Sequence, residues 1–102
     1  MSAIQTHVEG TDYDTLLNEA LPLLQLNFKS RTLSGFHGGE QFLGAHDVVM
    51  MCAERGIRLS DEALADLELD ATDSLDDDWH TYRRYAARSL DFIAQIRALD
   101  NA

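Results

Sequence analysis

Residues 75–99 read LDDDWHTYRRYAARSLDFIAQIRAL, and their periodicity decides the fold. At 100° per residue, Trp79, Tyr82, Ala86, Leu90 and Ile93 fall in one stripe. Tyr85, Phe92, Ile96 and Leu99 fall in a second stripe beside it. Together the stripes cover about half the circumference, against the ~100° of an ordinary surface helix. One neighbouring helix does not readily cover that much. The pattern predicts a long C-terminal helix over 75–99, with Asp73 or Ser74 as its cap. It packs against two helices of the same chain or against a partner.

Upstream, the same period recurs in shorter pieces. Ser60 is placed to cap a short third helix, with Asp61 and Glu62 at the positive end of its dipole and Ala63, Leu64 and Leu67 turned inward. Residues 70–74 then read as a polar connection. A second helix is expected from Gly39 or Glu40 to Arg55, with Gly56 as a left-handed stop. Its face of Phe42, Leu43, His46, Val49, Met50 and Ala53 is widened by Ala45, Val48 and Cys52, which makes it central. A first helix begins near Thr11 or Asp12 and carries Leu17, Leu21, Leu24 and Phe28 at helical spacing. Pro22 predicts a kink or a restart, with helix on to about residue 31. Alternation of Leu24, Leu26 and Phe28 allows a short strand there, but length favours helix. Three glycines within residues 35–39 break the chain between the first two helices. Residues 1–10 read as a flexible arm. The expectation is an all-α domain over 11–102, a small bundle of about four helices with a long C-terminal helix.

Charge is distributed unevenly. The chain has 102 residues, a net charge of −10 and 18 acids. Nine of those acids and no Lys or Arg lie in residues 59–82. Arg83, Arg84 and Arg88 follow at once. A balance this acidic opposes direct nucleic-acid binding, where Lys and Arg neutralise phosphate. It also opposes docking on an anionic membrane. It permits binding to a basic protein. A single cysteine, Cys52, allows no internal disulfide, which fits a reducing cytoplasm. The first residues lack a basic stretch followed by an apolar one, so no secretory signal is expected. No apolar run approaches the ~20 residues of a membrane span.

Catalytic and metal motifs do not emerge. His37, Glu40, His46, Asp47 and Cys52 include no pair of histidines three or four residues apart, and His46 sits mid-face as a hydrogen-bonded core histidine. Asp66, Glu68, Asp70, Ser74 and Asp77 match part of a calcium-loop template. Ala71 stands where the template needs Gly, and no Glu closes the loop. The segment at 35–39 lacks the lysine and spacing of a phosphate loop. Cys52 has no adjacent cation and reads as core. No catalytic residue, cofactor or metal is therefore expected. His80, Arg84 and Arg88 instead form a line on the polar side of the last helix. That line is either relieved by neighbouring acids or serves as a basic ridge for a partner or a second copy.

The short acidic chain, the leucine-rich TLLNEALPLLQLNF (residues 15–28) and the aromatic-rich DDDWHTYRRYAARSLDFIAQI (residues 76–96) together resemble QslA-type antiactivators of LuxR-type quorum-sensing receptors. The resemblance implies a bacterial, cytoplasmic, dimeric protein. Such a protein binds the receptor's ligand-binding domain, blocks receptor dimerisation and so prevents DNA binding. The residues themselves support a protein-binding role through Trp79, Tyr82, Tyr85, Phe92 and Ile96 as anchors, with Arg84 and Arg88 as orienting charges. Two alternatives stay open: a DNA-mimic or immunity-type inhibitor that docks through the acidic residues 61–78, and a helical metal-binding enzyme.

Overall fold

A computed structural model describes residues 12–26 and 40–99 of the protein. The arm expected at residues 1–10, the glycine-rich break at 35–39, His37, and any first helix beyond residue 26 lie outside the described residues. Four α-helices span the described residues, with no strand among them. They are α1 (Asp14–Leu24), α2 (Gln41–Arg55), α3 (Asp61–Ser74) and α4 (His80–Arg97). The all-α class read from the periodicity holds.

Helix α1 buries Leu16, Leu17, Ala20, Leu21 and Leu24 along one face. It carries Pro22 inside it and ends two residues later, at Leu24, short of the expected residue 31. Proline removes one helical hydrogen bond and crowds the preceding turn, so the helix is weakest there. Gln25 then turns left-handed, with φ 57 and ψ 40. Its N–H donates to the Pro22 carbonyl at 3.2 Å and the Leu26 N–H to that of Leu21 at 3.0 Å, which satisfies the last carbonyls. Helix α2 ends where the glycine placed it: Gly56 has φ 69, a conformation that costs other residues roughly 1–2 kcal/mol.

Helix α3 begins as expected, with the Ser60 hydroxyl oxygen accepting from the Ala63 N–H at 3.1 Å. It is longer than expected, because residues 70–74 are helical and not a connection. Ala71 is fully buried one turn beyond Leu67. In addition, Tyr13 donates its hydroxyl to Asp70 Oδ2 at 2.5 Å and so holds that turn to α1. Tertiary contacts thus override the polar composition.

Helix α4 starts at His80, five residues later than the period implied, and neither Asp73 nor Ser74 caps it. Both belong to α3. The Asp77 carboxylate accepts from the Trp79 N–H at 2.8 Å. Such local side-chain bonds compete with helix, and three consecutive Asp at 76–78 favour them.

Helices α2 and α3 pack against each other, and each packs against both α1 and α4, while α1 and α4 do not meet. The wide apolar arc of α4 is therefore covered by two helices of its own chain. Leu16, Leu21, Val48, Val49, Leu64, Leu67, Ile93 and Ile96 form one core with their neighbours. At α4's far end, Arg97 forks onto Glu68, with Nη1–Oε2 2.5 Å and Nη2–Oε1 3.0 Å. The guanidinium holds that carboxyl below the usual Glu range.

Candidate protein-binding site

The N-terminal half of α4 carries the side chains singled out for binding, and the structure sorts them by depth. Trp79 is 56% exposed, yet it is not loose. Its N–H is held by Asp77, and its ring meets Tyr82 edge-on at 4.8 Å between centroids. Tyr82 is half-buried. It donates its hydroxyl to Glu40 Oε2 at 2.6 Å, and its ring meets Phe42 edge-on at 5.8 Å. That hydrogen bond to a carboxylate raises the phenol's pKa above its ordinary value. The exposed surface of α4 is thus anchored to the start of α2.

Arg84 and Arg88 are exposed one turn apart, as the spacing required. With Thr81 and Tyr85 they line a recess of about 110 Å³. Neither arginine forms an ion pair among the described residues, where the guanidiniums of Arg58 and Arg97 bind Asp61 and Glu68. Arg83 is used differently. It donates to the carbonyl oxygens of Asp77 at 2.7 Å and Asp78 at 3.2 Å, which secures the turn into α4.

Beneath this ridge lies His46. Tyr85 meets its ring edge-on at 5.0 Å, and Phe92 lies tilted at 5.7 Å. His46 is buried, with Nδ1 2.8 Å from Ser89 Oγ. Burial, then the positive charge of Arg88, lowers its pKa below the ordinary 6.5. It is the hydrogen-bonded core histidine that its mid-face position predicted.

Two of the proposed anchors change role. Ile96 is fully buried in the core, so it cannot meet a partner while α4 stays packed. Phe92 is only half-exposed and spends one face on His46. The surface set is Trp79, Tyr82, Arg84, Tyr85 and Arg88.

A second feature lies on the other flank of Tyr82. Tyr13, Phe42 and Tyr82, together with Asp70, Asp73 and Asp77, line a cleft of about 240 Å³. Its residues come from the start of α1, α2, α3, α4 and the turn before α4. Sequence reading missed it because no local period links them.

The acidic run is not one open surface. Asp66 accepts from the Leu16 N–H at 3.0 Å, Asp70 from Tyr13, and Asp61 and Glu68 bind Arg97. Asp77 holds Trp79. Asp66 and Asp70 lie on a continuous helix and not in a calcium loop. No group of three or more His, Cys, Asp or Glu able to hold a metal forms among the described residues. Cys52 is buried, and burial pushes its thiol up to about 11, which leaves it a poor nucleophile at neutral pH. No described helix is long and apolar enough to cross a membrane.

No family model matches the chain, and comparison with curated proteins and with solved structures finds no match.

Proposed function

We propose that the chain is a protein-binding regulator without catalytic activity, and that its contact face is the N-terminal half of α4. One observation carries this reading. Trp79 is more than half exposed, yet its backbone N–H is held by Asp77 and its ring meets Tyr82, while Arg84 and Arg88, farther along the same half of the helix, form no ion pair among the described residues. A large, pre-positioned aromatic loses little conformational entropy on binding, and Trp and Arg are among the commonest hot-spot residues at protein interfaces.

The finer proposal names the partner as a LuxR-type transcription regulator. It rests on the resemblance of residues 15–28 and 76–96 to QslA-type antiactivators. The chain acts in the cytoplasm of a bacterium as a homodimer, binds the receptor's ligand-binding domain and prevents the receptor from dimerising on DNA. The acidic-mimic alternative would use only part of the run: Asp61, Asp66, Glu68, Asp70 and Asp77 each accept a hydrogen bond within the chain, whereas Glu62, Asp73, Asp76 and Asp78 are exposed.

The test is a titration of the purified chain into a LuxR-type receptor from the same cell bound to its DNA site. DNA release at stoichiometric protein, with the receptor falling from dimer to a complex with this chain in sedimentation, supports the proposal. Release that persists at high salt assigns it to the apolar face of α4. A receptor that keeps its DNA at a large excess of the chain refutes the proposal.

A further inference from the structure

The cleft beside Tyr82 combines three aromatic rings with three carboxylates, and its chemistry selects a ligand class. No arginine or lysine among the described residues forms an ion pair with Asp70, Asp73 or Asp77. Arg83, next to the cleft in sequence, is committed to backbone carbonyl oxygens. An anion entering the cleft would be repelled. A neutral apolar group would displace water from the carboxylates and give nothing back. A cation is attracted both by the carboxylates and by the ring faces.

The shape of the donors narrows the class further. A quaternary ammonium suits an aromatic cage, but it has no N–H for a carboxylate to accept. A guanidinium presents five N–H donors in a planar fork and stacks on aromatic rings. Carboxylates contributed from α3 and from the turn before α4 offer several acceptor oxygens, and a fork of donors can reach more than one of them where a point charge cannot. A side chain with an apolar stem and a charged tip also meets both kinds of wall at once. The volume of about 240 Å³ is ample, since an engineered cavity of about 150 Å³ accepts benzene.

The walls are already set. Tyr13 is bonded to Asp70, Tyr82 to Glu40, and Phe42 meets Tyr82 edge-on. Binding therefore orders little that is not ordered beforehand. The cleft also abuts the proposed contact face, because Tyr82 lines it and touches Trp79.

We propose that this cleft receives an arginine side chain presented by the protein partner while Trp79 packs on the partner's surface beside it. The source of the arginine rests on the protein-binding reading above; the preference for a guanidinium rests on the cleft alone.

The experiment titrates Nα-acetyl-arginine amide into the whole protein at low salt. Fluorescence of Trp79 and the NMR resonances of Tyr82 and Phe42 report binding. The expected result is saturable binding with Kd of order 1 mM, weaker by several-fold for Nα-acetyl-lysine amide and for choline. The variant carrying Asp73→Asn and Asp77→Asn keeps the shape of both side chains. It should raise Kd about tenfold while its thermal melt stays close to wild type. Its affinity for the regulator should drop by a similar factor.

No saturable binding of the arginine probe overturns the cleft proposal, whatever the regulator does. So does arginine binding that is unchanged in the double variant, or choline binding more tightly than arginine. If the probe binds as expected but no regulator does, the partner reading fails and the guanidinium preference of the cleft stands. If the regulator binds and the double variant leaves that affinity untouched, the partner does not use the cleft.

Discussion

His46 Nδ1 and Ser89 Oγ lie 2.8 Å apart and join α2 to α4 inside the core, where both residues are buried. Ser89→Ala removes the partner and leaves a ring nitrogen unsatisfied away from water. The expected loss is about 1–3 kcal/mol of unfolding free energy, read as a lower urea midpoint. A cycle with His46→Leu should show strong coupling, because an apolar pair no longer needs the bond. Additive losses would mean that the pair does not act as a unit.

The same histidine sets a pH dependence. Its folded pKa is lowered from 6.5, first by burial and then by Arg88. As pH falls through 6.5, the unfolded chain takes up a proton that the folded chain resists. This contribution is therefore complete above pH 6.5 and is lost progressively below it. The pair Glu68–Arg97 adds its own loss, but only as pH falls below the ordinary Glu value of 4.5. A melt series from pH 7.5 to 5.5 should fall in wild type and flatten in His46→Leu. An equal slope in both would remove His46 as the cause.

Glu19 on α1 accepts from the Ser60 N–H at 2.5 Å and from its hydroxyl at 2.6 Å, while the same hydroxyl oxygen caps α3. Ser60→Ala loses the cap and one bond to α1. The expected cost is about 1–2 kcal/mol, at the upper end for a capping residue. Hydrogen exchange should show the first turn of α3 opening ahead of the rest. A melt shifted no more than by a neutral surface change would assign Ser60 no structural role.

How much of this was legible in the sequence depends on the range of the interaction. Ser60 and Gly56 were readable, because a cap and a left-handed stop are properties of a few consecutive residues. The core face of α2 and the burial of His46 were readable from one helical period. Residues 70–74 were not, because what keeps them helical is Tyr13, far away in the chain. The start of α4 was misplaced for a related reason: the apolar period continues smoothly through 75–79, but the Asp77 carboxylate claims the Trp79 amide. Ile96 and Trp79 fall in neighbouring stripes of one wheel. Only the arrangement of α2 and α3 around α4 decides that one is core and the other surface. The acidic cleft had no signal at all, since its walls converge only in the folded chain.

Gly56 and Gln25 both stand at positive φ, 69 and 57. A Cβ on Gly56 would meet nothing within 4 Å, so Gly56→Ala tests backbone strain alone. It should cost about 1 kcal/mol. Gln25→Gly removes that strain and should stabilise by up to about 1 kcal/mol, offset in part by glycine's larger unfolded-state entropy. Opposite signs in paired thermal melts are expected. Equal signs would mean that the left-handed geometry of one of the two stops is not present in solution.

Trp79 and Ile96 separate binding from folding on one helix. Trp79 is 56% exposed and Ile96 is 0% exposed. Ile96→Ala empties core volume against α2 and α3 and should lower stability by about 2–5 kcal/mol. Any loss of binding should track the unfolded fraction. Trp79→Ala removes an exposed ring whose one aromatic contact among the described residues is Tyr82, so its melt should stay near wild type. Its affinity for the regulator should fall about 30-fold, the equivalent of ~2 kcal/mol at a hot spot. Arg84→Glu should act on the same half of the helix through charge, with a loss that shrinks at high salt, whereas the Trp79→Ala loss should not depend on salt. The pattern is decisive because the three variants are read in two assays. A stable Trp79→Ala protein that binds as tightly as wild type places the contact away from the N-terminal half of α4, even if the regulator is the right partner. A Trp79→Ala protein that melts early would instead make the ring part of the fold, and its exposure would no longer count as evidence for a binding face.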